Sequence, residues 1–199
     1  MPFVGLTGNF GMGKSTVLEI FRELGAVTID SDGIVDEILE SKDVLEKIRN
    51  SFGEEYFDAG RLNKKRLAEC IFRDMERKTA LEAIIHPIVF DRIEDIKRSV
   101  KDPEAIVICE VPLLFEKGYN QRVDMTIVVY ADEERAIKRL EEKGYSREDV
   151  LLRIENQSSI KEKIDAADYV IENNSTIDVL REKVKEVFDR LRSVRHEGN

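Results

Sequence analysis

With 199 residues and a formal net charge of -9, the chain is long enough for one full α/β core with a helical insertion, but short of a second independent domain. The acidic balance excludes a broad surface for nucleic acid or anionic membrane, since either needs a basic face to neutralise phosphates. Any anionic ligand has to be met by cations gathered locally.

The elements follow in chain order. Phe3 to Thr7 is a short apolar run that reads as a strand, and the N-terminus enters it with no signal-peptide pattern. Next comes Gly8-Asn9-Phe10-Gly11-Met12-Gly13-Lys14-Ser15, which fits the phosphate-loop pattern GxxxxGK[ST]. Val17, Leu18, Ile20, Phe21 and Leu24 mark an amphipathic helix stopped by Gly25. Val27 to Ile29 forms the second strand, and Asp30 and Asp32 are expected to close it with both carboxylates aimed alike. About 75 residues of helical pattern follow before the next strand, far more than the dozen or so a crossover requires. That excess predicts an inserted helical region over 33–102, with helices marked by Ile34, Ile38 and Leu39; by Val44, Leu45, Ile48 and Phe52, ending at Gly53; by Leu67, Ile71 and Phe72 after Asn63; and by Leu81, Ile84 and Ile85. His86-Pro87 is expected to break the last of these and start another.

Strands resume at Ala105 to Cys109, followed by Glu110, and at Met125 to Tyr130. The charge-dense stretch 133–165 carries Arg135, Lys138, Arg139, Lys143, Arg147 and Arg153 and reads as a helical lid that brings cations onto a phosphoryl group. Tyr169 to Ile171 is the fifth strand. Ile177, Leu180, Val184, Val187, Phe188 and Leu191 space a helix that packs on the sheet. Near-continuous hydrophobicity in all five strands predicts a parallel sheet covered on both faces. The fold expected is α/β, a three-layer P-loop NTPase with a five-stranded parallel sheet, an inserted helical substrate-binding region and a helical lid. It forms one domain over 1–199, with its core at 1–32, 103–132 and 166–199.

No run approaches the roughly 18 apolar residues of a membrane span, so a cytoplasmic location is expected. Cys70 and Cys109 lie among apolar residues without CxxC or Cys/His spacing, and are expected to be buried reduced thiols.

The chemistry expected of the loop is nucleoside-triphosphate binding. Glycines 8, 11 and 13 let backbone N–H groups close on a β-phosphate at the positive end of the following helix. Gly8, Gly11, Met12, Gly13, Lys14, Ser15 and Thr16 form the expected ATP contacts, with Lys14 on the β- and γ-phosphates and the Ser15 hydroxyl on Mg²⁺. Of the acidic pair, Asp32 is expected to accept a hydrogen bond from the attacking hydroxyl, the alternative being a helix cap. Glu110, at a strand end opposite the loop, is expected to orient metal-bound water. No NKxD element is present to read guanine, which disfavours a GTP switch.

Five segments make a more specific resemblance: GLTGNFGMGKST (5–16), GAVTIDSD (25–32), LEAIIHPIV (81–89), VPLLFE (111–116), and RIENQ with KIDAADYVIENN (153–174). In order and spacing they resemble the signature segments of the dephospho-CoA kinase family and span nearly the entire chain. The resemblance implies transfer of phosphate from ATP, with Mg²⁺, to the ribose 3′-hydroxyl of dephospho-CoA, the last step of coenzyme A synthesis. It implies that Asp32 is the base, Lys14 and Ser15 meet phosphate and Mg²⁺, Arg139 is the lid arginine on ATP, and Asn174 lies near the adenine. His86 and Leu113 fall on the acceptor side. Two departures from the family pattern stand out: Lys143 occupies a position where a second lid arginine is common, in a lid one residue short, and Glu110 stands where Asp or an apolar residue is frequent. Two alternatives remain on the residues alone: a kinase of another small acceptor of shikimate or nucleotide type, and a non-catalytic, nucleotide-responsive interaction protein.

Overall fold

The computed structural model describes residues 1–155 and 157–194. The chain runs β1 (Phe3–Thr7), α1 (Lys14–Glu23), β2 (Val27–Asp30), α2 (Ser31–Ile38), α3 (Lys42–Phe52), β3 (Phe57–Asp58), β4 (Arg61–Leu62), α4 (Lys64–Arg73) and α5 (Met75–Ser99). It continues through β5 (Val107–Glu110), β6 (Met125–Tyr130), α6 (Glu133–Glu142), α7 (Arg147–Glu155), α8 (Ile160–Ala166), β7 (Tyr169–Glu172) and α9 (Ile177–Val194). Two compact units result: one spans Met1–Asp30 and resumes at Val100, the other is Ser31–Ser99.

The first unit carries the expected five-stranded sheet, in the order β2-β5-β1-β6-β7 with every neighbouring pair parallel. β1 and β5 are buried at every position, as the unbroken apolar runs require of strands covered on both faces. Val17, Ile20 and Phe21 of α1 pack with Leu180, Val184, Phe188 and Leu191 of α9 and with Val4, Leu6, Ile127 and Val129 of the sheet. Ile177, expected in that core, is instead 49% exposed. Two carboxylates pin strand starts: Asp124 accepts from the Phe3 N–H at 2.7 Å, and Asp168 accepts from Thr126 N at 2.7 Å and Thr126 Oγ1 at 2.8 Å. Parallel register then sets all carboxyl ends on one edge, with Glu110 opposite both Leu6 and Asp30, and Tyr130 opposite Glu172. The third expected strand starts at Val107 rather than Ala105, because the Ala105 N–H closes a turn onto Asp102 O at 3.1 Å.

The second unit begins at Ser31, two residues ahead of the expected insertion. Asp30 ends β2, but Asp32 belongs to the first turn of α2 and so does not continue the strand's alternation. Ser41 caps α3 by accepting from Val44 N, and Asn63 caps α4 by accepting from Arg66 N. α5 packs on α2, α3 and α4. The expected break at His86-Pro87 does not occur; α5 is one helix through Pro87. Leu81, Ile85, Val89 and Ile93 are buried at four-residue spacing along it, and burying that single stripe outweighs the hydrogen bond that the proline removes. A small hairpin, β3–β4, was not foreseen. Ala59 and Gly60 both take positive φ, 48° and 80°, the turn geometry that matches strand twist. Cys109 is buried as expected, whereas Cys70 is half-buried beside Arg77.

Replacing Pro87 by Ala restores an N–H to the middle of α5. The variant should be more stable by at least about 1 kcal/mol, a fraction of the ~3 kcal/mol that proline costs in a helix interior, read as a shift in the urea midpoint. An unchanged or lower midpoint would show that α5 requires the proline ring.

Candidate nucleotide site

β1 delivers the chain into the phosphate loop, and the loop leads into α1. Gly13 precedes α1 in a left-handed conformation (φ 91°, ψ 28°), no side chain caps the helix, and its first turn holds no acidic residue. The positive end of α1 is thus left for an anion. Packing fixes the loop from behind. A Cβ on Gly13 would sit 2.2 Å from Asn173 Nδ2, and one on Gly8 would sit 2.4 Å from the Val129 carbonyl oxygen. Met12 is buried, its sulfur 3.0 Å from the Ala131 N–H and its carbonyl accepting from Asn173 Nδ2 at 2.9 Å. Lys14 Nζ rests 3.5 Å from Asn9 O, inside the loop, while Ser15 and Thr16 are exposed at the start of α1.

Arg139, in the last turn of α6, is brought to the same place. Its Nη2 donates to Asn173 O at 2.8 Å and lies 3.4 Å from Asn173 Oδ1. Its Nη1 lies 3.9 Å from where a Gly13 Cβ would be, and is buried with no hydrogen-bond partner. Leaving a charged donor buried and unsatisfied costs on the order of 1–3 kcal/mol or more. Here it aims at the loop, where a phosphate oxygen would satisfy it.

Asn173 was missed in the sequence in favour of its neighbour. The signal was present: with period two along β7, Ile171 and Asn173 face inward (1% and 6% exposed) while Glu172 is exposed. Asn174 is placed at the rim, where its Oδ1 accepts from Asp132 N at 2.7 Å and its Nδ2 donates to Asp132 Oδ1 and Glu172 Oε1. The Tyr130 hydroxyl also donates to Asp132, which raises the phenol's pKa, and the bonds from Lys183 and Asn174 lower that of Glu172.

The remaining expected residues divide between the units. Glu110 is buried at the end of β5, and Leu113 is half-buried in the loop beyond it. Asp32 lies in α2 and His86 in α5, both in the second unit. Of the expected lid cations, Arg135 and Arg147 are in exposed ion pairs with Asp132 and Glu134, and Lys138 and Lys143 are exposed. Arg153 stacks 5.1 Å from the Phe10 ring and 5.6 Å from Tyr145. Among the described residues no group of three His, Cys, Asp or Glu side chains could cage a metal ion. Mg²⁺ would suit this donor set, since it keeps waters and takes one or two protein oxygens beside substrate phosphates.

The family model described as dephospho-CoA kinase matches residues 2–178. The chain belongs to the dephospho-CoA kinase family. A dephospho-CoA kinase from Aquifex aeolicus is 40% identical over 197 residues, covering 96% of this chain and 98% of the relative. Among solved structures, TT1252 from Thermus thermophilus superposes with a TM-score of 0.87 at 36% identity, covering 96% of this chain and 97% of its own. A dephospho-CoA kinase from Campylobacter jejuni gives a TM-score of 0.71 at 28% identity, with 97% and 98% covered. Kinase membership and the three-layer α/β fold thus agree with the loop and sheet described above.

Because Asn173 fills the space behind Gly13, Gly13→Ala should weaken ATP binding at least tenfold and lower the melting temperature, through the clash together with a positive φ worth about 1–2 kcal/mol. Calorimetric titration with ATP and a thermal melt measure both. ATP affinity equal to wild type would mean that the loop does not depend on this packing.

Proposed function

We infer that this kinase transfers the γ-phosphoryl group of ATP to the ribose 3′-hydroxyl of dephospho-CoA, giving CoA and ADP, and that it does so as a cytoplasmic enzyme. The observation that carries this inference is the buried, unpartnered Nη1 of Arg139 beside Gly13, in a chain whose family match runs over nearly its whole length. Such a group is an anion receptor set in place before the ligand arrives, and preorganised donors are what stabilise charge on a transferring phosphoryl group. Loop N–H groups and Lys14 hold the β- and γ-phosphates, and Arg139 neutralises charge from the α6 side. Asn174 borders the purine.

Mg²⁺ fits the same site, with Ser15 as its protein ligand and Glu110 holding its water. When bound, it neutralises charge on the phosphate oxygens. Asp32, in the first turn of α2, accepts the acceptor hydroxyl's proton, and His86 and Leu113 contact the acceptor. The segment 133–165 acts as the lid. A kinase for shikimate or a nucleoside monophosphate would share the loop and sheet, but a match over 2–178 to the dephospho-CoA kinase family favours the acceptor named here.

The direct test is coupled ADP release with dephospho-CoA, shikimate, AMP or no acceptor, followed by phosphorus NMR of the product. A new 3′-phosphomonoester should form with dephospho-CoA. Equal turnover without acceptor would point to a nucleotide-responsive hydrolase instead. Asp32→Asn should lower kcat by roughly 10²–10⁴, while costing under about 1 kcal/mol of stability from the lost charge at the α2 N-terminus. Near-wild-type kcat together with lost stability would make Asp32 a helix-terminus residue only. Arg139→Ala should cut kcat by on the order of 10² with little change in KM for the acceptor. Arg139→Lys should recover little of it, because an ammonium cannot reproduce the planar fork; full recovery by Lys would show that charge alone suffices.

A further inference from the structure

Three residues of the signature segments, Glu116 of VPLLFE, Gln157 of RIENQ and Lys163 of KIDAADYVIENN, have no role in the site so far. They meet at the link between α7 and α8. The Phe10 N–H donates to Gln157 Oε1 at 2.8 Å, and Asn9 Nδ2 donates to Ser158 O at 3.2 Å, so two successive residues of the phosphate loop are tied to two successive residues of this link. The link is held in turn from its other side: Ser158 N donates to Glu116 Oε1 at 3.2 Å, and the same oxygen lies 2.7 Å from Lys163 Nζ of α8. Both members of that ion pair are inside the protein, with side chains 1% (Lys163) and 15% (Glu116) exposed.

A buried ion pair is a poor device for stability alone, because apolar residues of similar volume often do as well or better. This one is not even fully satisfied. Glu116 Oε2 and Asn9 Oδ1 are both buried without a hydrogen-bond partner. Burial alone would raise the pKa of Glu116, but the facing Lys163 ammonium and the backbone N–H donors hold it below the ordinary glutamate value. What the carboxylate does, and an apolar side chain could not, is accept the Ser158 N–H. That bond holds the residue whose carbonyl accepts from Asn9 Nδ2, and Asn9 O in turn lies 3.5 Å from Lys14 Nζ.

We propose that Gln157, Ser158 and the buried Glu116–Lys163 pair form a latch that positions the phosphate loop, so that they govern nucleotide affinity without touching the nucleotide. These are positioning residues, and the inference rests on the loop being the ATP site. Latch and reaction are read by different measurements: ATP affinity by calorimetry, the reaction by turnover with dephospho-CoA. Absence of wild-type turnover would therefore sink the proposed reaction while leaving the latch to be judged on binding.

Three variants test the latch. Gln157→Ala should raise the Kd for ATP about tenfold, the equivalent of roughly 1.4 kcal/mol, with the melting temperature and the acceptor KM little changed. Gln157→Glu keeps an oxygen for the Phe10 N–H and should stay within about threefold of wild type. The double variant Glu116→Leu/Lys163→Met should melt at or above the wild-type temperature, yet still bind ATP about tenfold more weakly, because Ser158 has lost its acceptor. If the double variant binds ATP like wild type, the pair is structural only and the proposal fails. It fails equally if Gln157→Ala leaves ATP affinity intact, or if it raises the acceptor KM as much as the Kd for ATP.

Discussion

A chain of net charge -9 that holds a triphosphate must bring the counter-charge to one place, and this constraint orders the site. Several surface cations are spent elsewhere: Arg22 faces Glu19, Arg181 faces Glu23, Arg147 faces Glu134 and Lys183 faces Glu172. Exposed pairs of this sort contribute little to stability, and a net charge of -9 gives the molecule as a whole no long-range attraction for a nucleotide. The proposed anion site is the loop, where α1 begins without an acidic residue and Arg139 keeps one buried nitrogen unpaired. Asn173 makes this arrangement rigid. Its side-chain amide ties Met12 to the end of β7, and its backbone carbonyl and side-chain oxygen both face Arg139 Nη2. The anion therefore meets groups already in place, and little ordering remains for the moment of binding.

Much of the fold was legible because local and global signals agree along the sheet. Each strand is an apolar run with one reading, and the phosphate loop lies between a strand and a helix as its chemistry requires. Failures came where tertiary packing overrode a local rule. Pro87 has a breaker's chemistry, yet the four-residue spacing of Leu81, Ile85, Val89 and Ile93 runs straight through it. Asp32 looks like a strand-end carboxylate when read with Asp30, but Ser31 already starts a helix. The β3–β4 hairpin turns on Ala59-Gly60, in which the alanine gives no sign of a positive φ.

The site was legible as a list of parts and only partly as an assembly. Lys14 and Arg139 carry recognisable chemistry, and the loop does bring Gly13 beside Arg139. Asn173 was hidden by Asn174, since two adjacent amides are distinguished by strand alternation alone. Glu116 and Lys163 stand 47 positions apart in sequence, and nothing local to either says that they share a buried contact. Residues that hold other residues leave the faintest trace in a sequence, because their partner is chosen by topology.

The placement of β1 has a consequence for how the chain is made. β1 pairs with β5 through Phe3 and Val107 and with β6 through Val4 and Met125, so both partners lie more than a hundred residues further along. At a synthesis rate of about 5–20 residues per second, β1 waits several seconds or more for its neighbours. The unit Ser31–Ser99 has its own hairpin and helices and is fully synthesised within that interval. The strand that launches the phosphate loop cannot take its place in the sheet until long after it is made, so the wholly buried Phe3–Thr7 has to be kept from wrong partners in the nascent chain.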